Sequence, residues 1–189
     1  MFVSKIFACI FVFVIFGSYT RAQVCQSGNC PADIDVIPNF DVSKYLGTWY
    51  EYAKYPMDFE ADGVCIKAEY GLQDDGVVSV TNSLNNGTSG ASEEIKGSAT
   101  VISNAKLLVQ FPVSPAYNVR SNYWVLDTDY CSYSVVYSCE PLNGQHNTYV
   151  WILTRQRLPS TDTIEKSISV LRKNNISLDP LTLTNQLDC

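Results

Sequence analysis

The sequence predicts an all-β protein of eight strands, an up-and-down antiparallel barrel or a sandwich, with one α-helix following the last strand. Three observations predict it. Short β-branched or aromatic runs recur at fairly regular spacing, with polar turn sequences between them. One segment, after residue 160, carries a helical rather than an alternating apolar period. Six cysteines remain after the leader, which suits a secreted domain braced by disulfides.

The leader itself opens Met1-Phe2-Val3-Ser4-Lys5, runs apolar from Ile6 to Phe16 and reaches Thr20-Arg21-Ala22 before Gln23. A basic start, a short apolar segment and a small residue before the cut describe a secretory signal peptide over residues 1–22, leaving one domain over 23–189. A membrane span needs about 20 apolar residues, and neither a later run nor the C-terminal sequence offers a span or a glycolipid-anchor tail. The expected product is soluble, secreted and extracellular. Cleavage removes Lys5 and Arg21 and leaves 11 basic against 19 acidic side chains, a net charge of −8. That balance argues against nucleic acid and anionic membranes as partners.

In chain order, Gly47-Thr48-Trp49-Tyr50-Glu51-Tyr52 opens the first strand after a one-turn lead-in at Asp41-Val42-Ser43-Lys44-Tyr45. Glycine permits the tight turn, and Trp49 is large enough to plug the end of a small barrel, with an N–H that needs a partner. Strands follow at 64–70, 77–84, 93–102, 105–111, 118–127, 133–140 and 148–156. Gln73-Asp74-Asp75-Gly76 reads as a turn and Asn85-Asn86-Gly87 as a hairpin. Ser160, Thr161 and Asp162 offer helix caps, with Glu165 placed to close a capping box on Asp162. Ile164, Ile168 and Leu171 then form an apolar stripe, Arg172 and Lys173 suit the negative end of the helix dipole, and Asn174-Asn175 ends the helix. A short β-tail, 181–183, precedes Cys189.

Cys25, Cys30, Cys65, Cys131, Cys139 and Cys189 allow 15 pairings. No C-x-x-C spacing occurs, so no metal site is expected. Asn86-Gly87-Thr88 and Asn175-Ile176-Ser177 are glycosylation sequons in turn-like sequence.

Taken together, Gly47-x-Trp49, then Thr128-Asp129-Tyr130 after the Tyr123-Trp124-Val125-Leu126-Asp127 run, then Arg155, resemble the three motifs of the lipocalin family, in order and suitably separated. The resemblance spans 30–189. Within the family it is strongest to apolipoprotein D, the insect Lazarillo-type proteins and the bilin-binding insecticyanins. Asn39-Phe40-Asp41-Val42, Val136-Tyr137-Ser138-Cys139, Trp151-Ile152-Leu153 and Asn174-Asn175-Ile176 carry that likeness. The resemblance implies the barrel (the lipocalin, or calycin, architecture) with the helix packed outside it. It also implies a cation–π contact of Arg155 on Trp49 at the closed end, and bridges Cys30–Cys139 and Cys65–Cys189. A third bridge, Cys25–Cys131, is open. Cys131 and Cys139 are about 26 Å apart along an extended strand and Cys25 and Cys30 about 17 Å at most. The bridge therefore needs a stretched N-terminal segment or a bent strand.

Strand alternation assigns the residues inside. With Asn82 inward, Val80 and Leu84 follow; Ile95, Gly97 and Ala99 share a face, as do Leu107, Val109 and Phe111. Val119, Ser121 and Tyr123, and then Asn147, Tyr149 and Trp151, complete the set. A bulge would exchange Tyr123 for Trp124. The ligand contacts expected are Asn82, Leu84, Ile95, Val109, Phe111, Tyr123, Tyr149 and Trp151, and Asn82 and Trp151 match pocket positions in the family.

No enzyme is expected. His146 is the only histidine, and alternation points it outward. The carboxylate pairs Asp74-Asp75 and Glu93-Glu94 fall in turns or at strand edges. The nearest enzymatic precedent in the family is an isomerase with a pocket thiol, and Cys131, beyond the Thr-Asp-Tyr turn, belongs to the closed end. The resemblance implies a carrier of a small hydrophobic ligand, either a biliverdin-type bilin or a lipid such as a fatty acid, retinoid or sterol. No cofactor is required, and bound biliverdin would be a chromophore. Lys54, Lys67 and Arg120 are the cations available for its propionates. The alternative is a Lazarillo-type interaction protein for a cell-surface receptor, acting in signalling or oxidative-stress response.

Overall fold

Eight strands, each half-apolar by alternation, bury one face by closing on themselves. In the computed structural model, which describes residues 23–114 and 117–189, they form one antiparallel barrel. The expected signal peptide, 1–22, lies outside the described residues. The elements run β1 (Val24–Ser27), α1 (Val42–Tyr45), β2 (Gly47–Lys54), a 3₁₀ turn (Asp58–Glu60), β3 (Gly63–Leu72), β4 (Val78–Asn86), β5 (Ser92–Ser103), β6 (Lys106–Ser114), β7 (Tyr117–Thr128), β8 (Tyr133–Leu142), β9 (Gln145–Thr154), α2 (Thr161–Lys173) and β10 (Thr182–Leu183). Strands β2 to β9 pair in sequence order, and β9 returns to β2 to close the barrel.

Two apolar clusters follow from the alternation. One fills the barrel, around Trp49, Val80, Leu107, Val109, Val125 and Leu153. The other covers the outer face of β8 and β9, where Val135, Tyr137, Val150 and Ile152 meet Val170 and Leu171 of α2. The helix is capped by Ser160, whose Oγ accepts the Thr163 N–H, rather than by an Asp162–Glu165 box. Its buried residues are Thr163, Ser167, Val170 and Leu171. Ile164 and Ile168 flank that stripe and are only partly buried. At its end Asn175 takes φ +54°, and the Ile176 N–H reaches Leu171 O, a Schellman closure sealed by buried Ile176.

The closed end is built on one guanidinium. Asp41 caps α1 by accepting the Lys44 N–H. Gly47, at φ +90°, turns the chain into β2, and a Cβ there would stand 3.4 Å from Arg155 Nη1. Trp49 is fully buried, and its indole N–H donates to Tyr45 O at 2.8 Å. Arg155 lies 3.7 Å over the Trp49 ring. It donates to the carbonyls of Lys44, Tyr45, Leu46, Thr48 and Tyr130. In the neighbouring turn Asp129 accepts the N–H groups of Cys131, Ser132 and Tyr133.

Both chain ends patch the opposite rim. After Tyr50, β2 leaves β3, while beyond an irregularity between Glu51 and Ala53 it stays paired with β9 as far as Lys54. Strand β1 takes the free edge of β9, pairing Val24 with Thr148 and Cys25 with Asn147. The C-terminal tail takes the gap between β2 and β3. There β10 pairs with Ala53 and Lys54, Asn185 O accepts the Cys65 N–H, and Gln186 bridges the carbonyls of Glu51 and Ile66. Cys30–Cys139 and Cys65–Cys189 are bonded, fixing those ends to β8 and β3. Cys25 and Cys131 are free and exposed. Cys25 lies beside Asn147 near the start of β9, whereas Cys131 lies in the turn before Tyr133, which pairs with Thr154 at its end. About 23 Å of strand separates them, so no third intrachain bridge forms. His146 lies within β9, which begins at Gln145, earlier than the expected 148. It points outward from β9 beneath β1, 4% exposed, held by Gly28 O and Gln26 Oε1. The chain at Asn86-Gly87 is not a tight hairpin either: β4 continues through Asn86, which then accepts the Gly90 N–H across a longer loop.

Two measurements check this frame. Arg155→Ala removes the cation–π contact and the guanidinium's bonds to five carbonyls, of which Tyr45 O keeps the Trp49 indole N–H, so urea unfolding should show a loss of about 2–4 kcal/mol; a loss below about 1 kcal/mol would contradict the role assigned to Arg155. Reduction should add four hydrogens to the mass of the domain, and two thiols should alkylate in the folded protein.

Candidate ligand-binding site

The inward faces grade from sealed to open along the barrel axis. At the closed end Trp49 and Val125 have no exposure, while at the rim Ile95 and Val119, although inward by register, are each 40% exposed. An inward side chain reaches solvent only where the barrel is an open cup.

The floor of the cup is a cluster of tyrosines. Tyr123 Oη lies 2.8 Å from Tyr45 Oη and 2.9 Å from Tyr70 Oη, and Tyr45 also meets Ser134 Oγ at 2.9 Å. Burial raises all three phenols, Tyr45 to about 12, so the floor is polar but uncharged at neutral pH. The β7 irregularity falls beyond Val125. Tyr123 therefore keeps its inward place, and Trp124 packs outside against Tyr137 and beneath Lys106.

All eight residues expected to contact ligand lie on inward faces. Asn82 and Leu84 come from β4, Ile95 from β5, Val109 and Phe111 from β6, Tyr123 from β7, and Tyr149 and Trp151 from β9. Gly97 makes room for Phe111: a Cβ on Gly97 would come within 2.5 Å of the Phe111 ring and 2.3 Å of Gln110 O. Tyr149 and Trp151 stack at 6.1 Å and 15°, and Phe59, on the 3₁₀ turn above, adds a third ring 6.2 Å from Tyr149. Tyr149 Oη donates to Glu140 Oε2 at 3.2 Å.

Alternation did not reveal one group. Glu51 and Lys54 are three residues apart in a strand and should face opposite sides. The irregularity between them turns both inward, Glu51 opposite Leu153 and Lys54 opposite Trp151. Lys54 Nζ lies 3.2 Å from Glu51 Oε1 and 2.8 Å from Glu60 Oε2, and Thr184 donates to Glu51 Oε1. A recess of about 60 Å³ lies beside Lys54, under the Met57–Glu60 loop. A larger crevice, about 110 Å³, lies outside the barrel between Asp35–Pro38 and α2. Among the described residues no cluster of His, Cys, Asp or Glu suits a metal ion, and no helix is long and apolar enough to cross a membrane.

Desolvation, reinforced by the Glu60 charge and opposed by Lys54, pushes the Glu51 carboxyl well above the usual carboxylate range. Such a group binds its proton more tightly folded than unfolded. The penalty for charging it is absent below the unfolded value, about 4.3, and grows as pH rises through the folded one. Glu51→Gln should therefore gain in urea midpoint relative to the parent between pH 5 and pH 8; a difference constant across that range would refute the assignment.

Residues 40–186 match the family model described as a lipocalin-like domain. The chain is 39% identical to apolipoprotein D of Oryctolagus cuniculus over 180 residues, covering 91% of this chain and 90% of that one. It is 36% identical to the Lazarillo protein of Schistocerca americana, covering 89% and 84%. Among solved structures it superimposes on insecticyanin from the tobacco hornworm Manduca sexta with a TM-score of 0.79 at 27% identity, covering 87% and 89%.

Proposed function

From the premise that this chain belongs to the lipocalin family, we propose that it is a secreted carrier that takes one small hydrophobic molecule into the barrel. The observation that carries the reading is the cup itself, a sealed floor of neutral tyrosines beneath apolar walls that open to solvent at the rim. Concave, mostly apolar sites with a few placed polar groups are the usual form of small-molecule pockets. Tyr149 stacked on Trp151, with Phe59 tilted 42° against Tyr149, offers an aromatic wall for a ring system or a conjugated chain. The two disulfides and the likeness to apolipoprotein D support an extracellular setting. The likeness to insecticyanin supports a bilin as ligand, and that to apolipoprotein D a lipid. Likeness to the Lazarillo protein supports a second reading, a partner at the cell surface.

Asn175 is exposed just after α2 and Asn86 is partly exposed at the end of β4, and we propose both sequons as glycan sites.

Ligand titration should quench tryptophan fluorescence saturably at one molecule per chain. Trp151→Ala should weaken binding about tenfold or more, in line with about 1.5–3 kcal/mol for a buried ring contact, while the protein is still secreted. Visible absorption bands in protein from its natural fluid, lost on stripping and restored by titration with biliverdin, would identify a bilin. Cell-surface binding that survives Trp151→Ala would favour the receptor reading instead.

A further inference from the structure

The cup has a charge balance that bears on the ligand. By register, Lys67, Lys96, Lys106 and Arg120 all point away from the interior, since Ala68, Ile95, Leu107 and Val119 occupy the inward faces beside them. Among the described residues Lys54 is then the one cation on the cavity side of the wall, and it is held by Glu51 and Glu60. The carboxylates on that side outnumber it. Glu93 stands opposite inward Leu84 at the rim, and Glu140 stands opposite inward Asn147, bonded to Tyr149. Even with Glu51 neutral, the cavity side is net negative.

A second, independent observation concerns hydrogen bonding. Asn82 Oδ1 is buried and has no protein donor, while its neighbours on the inner face are Ala68 and Ile95, which offer none. Buried polar atoms are ordinarily paired. A ligand hydroxyl both gives and accepts a hydrogen bond, so it satisfies this amide in either orientation of its oxygen and nitrogen.

We infer that the barrel selects an uncharged lipid carrying a hydroxyl group, which bonds to Asn82, and discriminates against ionised carboxylates. The inference rests on the carrier reading and narrows it. A carboxylate entering this cup loses water, finds its one cation already neutralised, and meets the charges of Glu60, Glu93 and Glu140. Fatty acids and the two propionates of biliverdin fall in the disfavoured class, and sterols and long-chain alcohols in the favoured one.

Retinol and retinoic acid test this directly, because they share a polyene and differ at the polar end. At pH 7.4, followed by tryptophan quenching, retinol should bind at least about tenfold more tightly than retinoate. Glu60→Gln takes away one of the two carboxylates on Lys54 and its negative charge, and should shrink that ratio several-fold, and Asn82→Leu should shrink it from the other side by weakening retinol. Retinoate binding as tightly as retinol, or a ratio indifferent to both substitutions, would overturn the inference and leave the carrier reading standing. Failure of both retinoids, and of fatty acid and sterol probes, would overturn the two together.

Discussion

One guanidinium on one indole sets the terms for the whole barrel. Eight strands close a cylinder but cannot close its ends, and at one end Arg155 gathers the carbonyls of the α1–β2 lead-in and of the β7–β8 turn over the face of Trp49. All but Thr48 lie outside the strands, and with the Trp49 indole N–H on Tyr45 O this one side chain serves acceptors that the sheet ladder does not reach. With the start of β2 pinned, the inward face of each strand follows by pairing, and the deep half of the barrel becomes solid core. The shallow half is left as a cup because nothing comparable fills it.

Which side chains enter the cup was legible in the sequence because the irregularities of the sheet fall near strand ends. They lie between Glu51 and Ala53, Val64 and Lys67, Val101 and Ser103, Pro112 and Ser114, and Val125 and Asp127. The stretches holding Asn82, Ile95, Val109, Tyr123 and Trp151 are therefore regular, and a period of two suffices. The Glu51–Lys54 pair was hidden for the same reason in reverse: its bulge lies inside the pair and no glycine or proline announces it. The β-tail read at 181–183 appears as β10, but strand β1 was not read, and what either end strand pairs with was hidden for another reason. They are four and two residues long, too short for a period, and exist because β2 leaves edges that the chain ends can cover. His146 was legible in direction only, because its burial comes from β1.

The polar interior of the cup is arranged so that very little of it is charged and free. The tyrosine floor is locked in mutual hydrogen bonds and burial keeps it protonated. The wall cation is matched by carboxylates that approach from β2 and from the 3₁₀ turn. Because Glu60 belongs to the loop over the rim, the same ion pair that neutralises the wall also holds Phe59 near Tyr149. Loop position and cavity charge are thus one arrangement rather than two.

The patching of the rim by both chain ends has a practical consequence for anyone handling the protein. Val24–Ser27 and Thr182–Cys189 border the entrance, so a fusion partner or affinity handle at either end would crowd the doorway and compete with cargo for it. The exposed turn between β3 and β4, around Gln73–Gly76, stands at the far end of the cylinder. A surface tether or fluorescent reporter inserted there would present every molecule mouth-outward, with its entrance unobstructed.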